Sequence, residues 1–268
     1  MGVSIGLVSI KGGVGKTTLA SALATDLALH HNKKVAVVDA NYSAPNLGFH
    51  FGIIEPKGTI HDVLERKAKI EDVVHHKYGV DVIPGNYFHN KPLNYLKLKE
   101  KVKRLKQKYD FVVIDSSPSM NEEVLSAILS SDHLFVVTTP DIQTLVSSLK
   151  AARLARDRGM NIAGVILNKL RGNHFELSLD NIEYVSGLPV MARIKDDKHA
   201  YNAALQHMPA PIYAPNSHLA REINRLTHAM LGKQSPRPFV RRFFLLPMKK
   251  EELNREMLKE SFYERRYS

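Results

Sequence analysis

The sequence of 268 residues contains no cysteine. Disulfide bonds, zinc sites built on cysteine and cysteine-ligated iron–sulfur clusters are therefore excluded. No apolar run approaches the roughly 18 residues that a membrane-spanning helix requires. The first apolar stretch has no basic region before it, and Gly6 stands where a myristoylation signal requires serine or threonine. These features predict a cytoplasmic protein.

The charge balance is strongly basic, with a formal net charge of +11. An excess of this size favours an anionic partner, which could be nucleic acid, an acidic membrane surface or an acidic protein. Simple solubility is the alternative explanation. The thirteen histidines show no spacing typical of a metal site, since the adjacent pairs at 30–31 and 75–76 point different ways on a helix or strand.

A glycine-rich stretch near the N-terminus carries the strongest functional pattern. An apolar run at 5–8 precedes it, and a helical pattern of apolar residues from 19 to 27 follows it. A strand, a glycine-rich turn and a helix form the context that a phosphate-binding loop requires. The loop residues are Gly12, Gly13, Val14, Gly15, Lys16, Thr17 and Thr18.

Each residue type in this loop suits a nucleotide polyphosphate. Glycines let the backbone curl around an anion with its N–H groups pointing inward, and the following helix presents its positive end. Lys16 can reach the β- and γ-phosphates, and the Thr17 hydroxyl can ligate Mg²⁺. The stretch therefore predicts binding of ATP together with Mg²⁺.

A second lysine in the loop, Lys11, makes the pattern more specific. Lys-Gly-Gly-Val-Gly-Lys-Thr-Thr at 11–18 resembles the deviant Walker A motif of the MinD/ParA family of ATPases. In that family the first lysine reaches the nucleotide of a partner protomer. The resemblance thus implies a homodimer with ATP sandwiched between protomers, and catalytic roles for Lys11 and Lys16. It covers residues 1 to about 232, and the absence of cysteine excludes the iron–sulfur relatives of the superfamily.

Two further segments end in a carboxylate. Short β-branched runs at 34–39 and 111–115 finish with Asp39 and Asp115, and the carboxyl ends of parallel strands border the ligand crevice. The segments resemble the family's switch I and its Walker B and switch II region. The resemblance implies that Asp115 holds Mg²⁺ through water and that Asp39 lies near the Mg²⁺ shell. For Asp115 an N-cap of the next helix is the alternative.

The second switch I position departs from the family. The family carries an aspartate there that positions the attacking water, whereas this chain has Asn41. An amide can hydrogen-bond water but can neither accept a proton nor carry negative charge. We therefore expect hydrolysis that is slow or dependent on a partner.

Asn168 closes a strand predicted at 162–167. It resembles the family's adenine-reading asparagine, because an amide offers both a donor and an acceptor to the N6 and N7 edge of adenine. A turn asparagine is the alternative. The loop at 192–197 is expected to cover the adenine with backbone groups.

The order of elements alternates strand and helix about seven times. This predicts an α/β fold, with a doubly wound, mainly parallel sheet, helices on both faces and a C-terminal helical tail. We expect an ATPase domain at 1–232 and a basic tail at 233–268. Further strands are predicted at 80–84, 133–138 and 188–191, and further helices at 59–66, 70–76, 95–108, 144–158, 200–206 and 216–231.

Two basic segments offer surfaces for anionic partners. The helix at 97–108 has a buried stripe of Leu98, Val102 and Leu105 and an otherwise basic surface. This surface suits contact with the phosphates of DNA or lipid, and a face that is only solvated is the alternative. The tail holds an aromatic and basic run at 239–246 and a charged helix at 248–266. That helix has a weak apolar face of Leu253, Met257, Leu258 and Phe262. Binding to an anionic membrane, docking on the core or a partner, and disorder are the three alternatives.

The sequence is compatible with three functions. The first is an ATP-dependent dimerising switch that hydrolyses ATP to ADP and phosphate and positions a division, partition or polar cargo at a membrane or nucleoid. The second is a hydrolysis-defective ATP-binding scaffold. The third is an enzyme like the bacterial tyrosine kinases, suggested by Tyr263 and Tyr267 but disfavoured by Lys11 and Asn41.

Overall fold

The computed structural model describes residues 1–233 and 248–267, and a single eight-stranded sheet organises them. The strands are β1 (Val3–Val8), β2 (Val35–Ala40), β3 (His75–Lys77), β4 (Val80–Ile83), β5 (Phe111–Ser116), β6 (His133–Thr138), β7 (Ile162–Leu170) and β8 (Val190–Lys195). Their order is β3-β4-β2-β5-β1-β6-β7-β8. The β3–β4 pair is antiparallel and the other neighbouring pairs are parallel.

Helices cover both faces of this sheet. They are α1 (Lys16–Leu29), α2 (Ile60–Leu64), α3 (Leu98–Leu105), α4 (Glu122–Leu129), α5 (Ile142–Asp157), α6 (Leu179–Ser186), α7 (Lys198–Leu205), α8 (Ala210–Tyr213), α9 (His218–Met230) and α10 (Lys250–Tyr267). Three 3₁₀ turns lie at Gly48–Phe51, Ile70–Val73 and Tyr95–Lys97. The predicted doubly wound α/β fold with a C-terminal helix is confirmed.

Alternating strand residues supply two opposite cores. On β5, Phe111 and Val113 pack with α1 and α9 on one face, and Val112 and Ile114 pack with α2 and α3 on the other. A third cluster joins β6 and β7 to α4, α5 and α6. The buried stripe of α3 is confirmed, since all three of its predicted residues are buried. Because helices cover both faces of the sheet, the sequences of its strands are nearly continuous apolar runs.

The edge hairpin differs from the sequence prediction. The helix expected at 70–76 is wrong beyond its first turn, because His75–Lys77 is the antiparallel edge strand β3. Tyr78 and Gly79 have φ angles of 52° and 76°. Two consecutive residues with positive φ form the tight hairpin turn that reverses the chain between two paired strands.

The strand β8 is also longer than predicted. It continues to Lys195 alongside β7, so that most of the expected loop at 192–197 is strand. Asp196 and Asp197 remain at the end of β8, where they connect to α7. Pairing with β7 extends β8 to Lys195, and no feature of the local sequence predicts that end.

The terminal helix α10 packs on the core beside α9. Leu258 and Phe262 are buried in the same cluster as α1 and α9, whereas Leu253 and Met257 are exposed. The Asn254 amide donates to the Val190 carbonyl at 2.9 Å, and Arg255 pairs with the buried Glu222 at 3.2 Å. Docking on the core is therefore the alternative that α10 adopts.

The predicted aromatic and basic run at 239–246 lies outside the described residues. Within the described ranges, no helix combines the length and the apolar character needed to cross a membrane.

Candidate nucleotide-binding site

A cleft of about 370 Å³ opens at the carboxyl ends of the central strands. The loop between β1 and α1 forms one wall, and Gly12, Gly13, Gly15, Lys16, Thr17 and Thr18 line it. Gly15 has a φ of 95°, and a Cβ built there would lie 2.5 Å from the Asn168 amide nitrogen. Glycine is therefore required at this position both by backbone conformation and by the close approach of Asn168.

Lys16 is buried at the start of α1, below the loop. Its ammonium donates to the Lys11 carbonyl at 3.4 Å. Burial lowers the pKa of Lys16, while the Asp115 carboxylate acts in the opposite direction. A phosphate bound beside this desolvated lysine would favour its charged form, and phosphate binding is the role that the sequence predicts for Lys16.

Lys11 occupies a different place. Its side chain is exposed and lines a second cleft of about 400 Å³, together with Asp141, Lys169 and Phe175. The Lys11 backbone N–H donates to the Ser9 hydroxyl at 3.3 Å. Lys16 thus lines the first cleft and Lys11 the second.

The two strand-end carboxylates are direct neighbours. Asp39 on β2 and Asp115 on β5 are register partners, and both are fully buried. Asp39 accepts three backbone hydrogen bonds of 3.0 Å, from the N–H groups of Asn41, Asn46 and Leu47. This aspartate therefore shapes the loop after β2.

Asp115 has a different environment. Neither of its carboxylate oxygens has a hydrogen-bond partner within the described residues. Burial raises the pKa of Asp115 to about 6, against the opposing influence of the nearby Thr17 hydroxyl and Lys16 ammonium. Burial and the Asp115 charge raise the pKa of Asp39 to about 8, although the three backbone hydrogen bonds oppose this shift.

An unpartnered buried carboxylate beside a threonine hydroxyl suits a hard cation such as Mg²⁺. The Thr17 hydroxyl lies near enough to Asp115 to oppose the burial-driven rise in the pKa of that carboxyl, but it donates to the Asn46 side chain at 2.9 Å. Thr17 lines the cleft, and Asp115 is fully buried at the end of β5. The alternative reading of Asp115 as an N-cap is wrong. Asn121 caps α4, because its side chain accepts from the Glu123 N–H at 3.0 Å.

Asn41 is buried at the edge of the cleft, with 7% of its surface exposed. Its amide nitrogen donates to the Ala44 carbonyl at 2.5 Å. An aspartate cannot donate this hydrogen bond. The departure from the family therefore also affects how the loop after β2 is held.

Asn168 lies where β7 reaches the loop. Its amide nitrogen donates to the Val14 carbonyl at 2.8 Å, and the residue is buried and lines the cleft. From here the cleft continues to Lys195, Asp196 and Asp197 and to Ala200 and Tyr201 of α7. This end of the cleft is where the prediction places the base.

The cleft includes residues that the sequence analysis did not predict, among them Lys169 and His50. Lys169 donates to the Gly13 carbonyl at 2.7 Å, a contact that its position directly after Asn168 could have suggested. His50 lines the cleft from the 3₁₀ turn at Gly48–Phe51, and no local pattern marks it. Burial lowers the pKa of His50 to about 4, and the nearby His207 acts in the same direction.

A glycine-rich loop leading into a helix, a buried lysine and two strand-end carboxylates define a P-loop nucleotide-binding protein. The model of the CobQ/CobB/MinD/ParA nucleotide binding domain matches residues 5–210. The chain belongs to this family. The predicted MinD/ParA-type P-loop ATPase family, with ATP and Mg²⁺ as its ligands, is thereby confirmed.

Three similar proteins illustrate the relationship. An uncharacterized ATP-binding protein of Methanocaldococcus jannaschii is 34% identical over 238 residues, which cover 87% of this chain and 89% of the relative. The cell division ATPase MinD of Pyrococcus furiosus is 32% identical with a TM-score of 0.79, covering 84% of this chain and 96% of that one. The septum site-determining protein MinD of Pyrococcus horikoshii, complexed with Mg-ADP, has the same identity and TM-score and covers 84% and 94%.

Proposed function

We propose that this protein is an ATP-dependent switch, which binds ATP with Mg²⁺, dimerises through the loop at 11–18 and hydrolyses ATP slowly to ADP and phosphate. The observation that carries the proposal is the buried Asp115 carboxylate, which lacks a hydrogen-bond partner within the described residues and lies near Lys16 and Thr17. Membership of a nucleotide-binding family that includes MinD supports it further.

The residues of the chain have distinct parts in this proposal. The loop N–H groups and Lys16 hold the polyphosphate and stabilise the charge that develops on the γ-phosphate. Thr17 and Asp115 would hold Mg²⁺, directly or through water. When bound, Mg²⁺ neutralises charge on the β- and γ-phosphates. Asp39 fixes the loop after β2 through its three backbone hydrogen bonds, and Asn168 would contact the base.

Slow turnover follows from Asn41. This amide can orient a water molecule but cannot accept its proton. General-base assistance typically contributes about 10²–10⁴-fold, so its absence lengthens the lifetime of the ATP-bound state. A long-lived bound state suits a switch that recruits or positions cargo.

The position of Lys11 supports the proposed dimerisation. The side chain is exposed and lines the second cleft, not the nucleotide cleft of its own chain. In the resembled family this lysine serves the partner's nucleotide, and the same role here requires two copies of the chain. Similar proteins are named cell division ATPase and septum site-determining protein, and these names support a cargo that takes part in cell division or spatial positioning.

The test measures ATP binding, phosphate release and mass in solution with ATP or ADP. We expect Lys16→Ala to lose ATP binding. We expect Lys11→Ala to retain it, but to lose the ATP-dependent dimer and turnover. Lys57→Ala removes an exposed lysine outside both clefts and is the matched control. A wild-type chain that stays monomeric with ATP would contradict the switch.

A hydrolysis-defective ATP-binding scaffold is the alternative raised by Asn41, and the similarity to a cell division ATPase does not favour it. Tight ATP binding without detectable phosphate release would select it. Sedimentation of the full chain with anionic liposomes and with DNA, each with ATP or ADP, identifies the platform. ATP-dependent pelleting with one of them assigns the platform, whereas binding to neither points to a protein partner.

A further inference from the structure

The end of β7 breaks the ordinary geometry of a strand. Successive side chains of a strand point to opposite faces, yet Asn168 and Lys169 both contact the phosphate loop. Lys169 has a φ of 59°, in the left-handed region, and the pairing of β7 with β8 shifts register between Leu167 and Leu170. This local irregularity aims two neighbouring side chains at one target.

The two contacts fall on consecutive carbonyls. Lys169 donates to the Gly13 carbonyl at 2.7 Å and Asn168 to the Val14 carbonyl at 2.8 Å. In a planar trans peptide the C=O and the N–H point in opposite directions. Donors that hold these two carbonyls therefore also orient the N–H groups of Val14 and Gly15, which point away from the end of β7.

We infer that Lys169 is a positioning residue that preorganises the phosphate loop for a nucleotide polyphosphate. Its ammonium fixes the Gly13–Val14 peptide before the ligand arrives, so less ordering is needed on binding. A charge-assisted hydrogen bond also polarises the peptide N–H that faces the anion. The inference rests on nucleotide binding alone and is independent of hydrolysis and dimerisation.

The backbone at Lys169 supports this assignment. A left-handed conformation is unfavourable for a residue with a Cβ. Such strain persists at positions where the surrounding structure enforces it, and these cluster at functional sites. Lys169 is exposed, so hydrophobic packing gives no reason for a strained lysine here, whereas its bond to Gly13 does.

Lys169→Gly separates the backbone strain at this residue from the hydrogen bond that its side chain donates to the loop. Glycine accepts the positive φ, so we expect the thermal midpoint of the nucleotide-free protein to stay unchanged or rise. We expect the affinities for ATP and ADP, measured by calorimetry, to fall about ten-fold. The ratio of GTP to ATP affinity should stay constant, because the lysine acts on the loop and not on the base.

Two further variants and one control complete the design. Lys169→Met should weaken binding as Lys169→Gly does, and Lys169→Arg, which keeps a charged donor, should recover most of the affinity. Arg66→Gly is the matched control, since Arg66 is an exposed cation with a φ of 65° that lines neither cleft. It removes the same charge and the same strain, and it should leave ATP affinity unchanged.

The outcomes separate this inference from the proposed function. Wild-type affinity in Lys169→Gly and Lys169→Met would overturn the role of Lys169 and leave the proposed function intact. A fall in stability together with weaker binding in Lys169→Gly would assign the lysine a structural role instead. A wild-type chain that bound no ATP would overturn both.

Discussion

Replacing Phe262 by alanine tests whether the terminal helix α10 belongs to the folded core. Phe262 is 3% exposed, and its ring lies parallel to that of His133, with 3.9 Å between centroids and 15° between planes. Phe135 lies beyond, at 6.5 Å. The side chain therefore occupies a closed site between α10 and the sheet.

The size of the effect follows from this packing. Burying a phenylalanine side chain contributes about 1.5–3 kcal/mol, and the unfilled cavity and the lost ring contact add to the loss. We expect Phe262→Ala to lower the free energy of unfolding by about 3–4 kcal/mol. For a chain of this size, that corresponds to a fall of roughly 10 °C in thermal midpoint.

Equilibrium unfolding in urea, together with thermal unfolding, measures the effect. Met257→Ala is the control on the same helix, since Met257 is 56% exposed and its truncation should cost less than about 0.5 kcal/mol. A loss below about 1 kcal/mol for Phe262→Ala would refute the docked helix. If the apolar face instead served a membrane, the variant would lose liposome binding without a change in unfolding.

Three other substitutions test separate parts of the molecule. Asn41→Asp should raise the rate of phosphate release at least about ten-fold, because a carboxylate can accept a proton from water; equal rates would contradict the account of slow turnover. His50 is held neutral by burial, with its pKa lowered from 6.5 to about 4, so its contribution to stability is complete above pH 6.5 and is lost as the pH falls toward 4. His50→Gln should therefore reduce the acid-induced loss of unfolding free energy between pH 7 and 4.5 by about 1–2 kcal/mol, and superimposable profiles would count against this. If the chain pellets with DNA, charge reversal of Lys103 and Arg104, both exposed on α3, should weaken that pelleting and lower its salt dependence by about two phosphate contacts, whereas unchanged pelleting would remove α3 from the DNA-binding surface.

The sequence alone identified the fold class and the phosphate loop. Both depend on local information: the alternation of apolar strands with amphipathic helices, and the glycines that a tight loop before a helix requires. It also placed Asp39 and Asp115 at strand ends. Parallel strands present their carboxyl ends at one edge of a sheet, and the two residues are indeed register partners.

Only the tertiary structure decided how distant segments meet. The docking of α10 depends on the contact between the rings of Phe262 and His133, which lies more than a hundred residues earlier in the chain. The contacts of Asn168 and Lys169 with the phosphate loop depend on a strand irregularity that no local pattern encodes. Likewise His50 enters the cleft because Asp39 folds the loop after β2 through its backbone hydrogen bonds. Local sequence sets backbone preference and burial, whereas such pairings depend on the packing of the whole sheet and its helices.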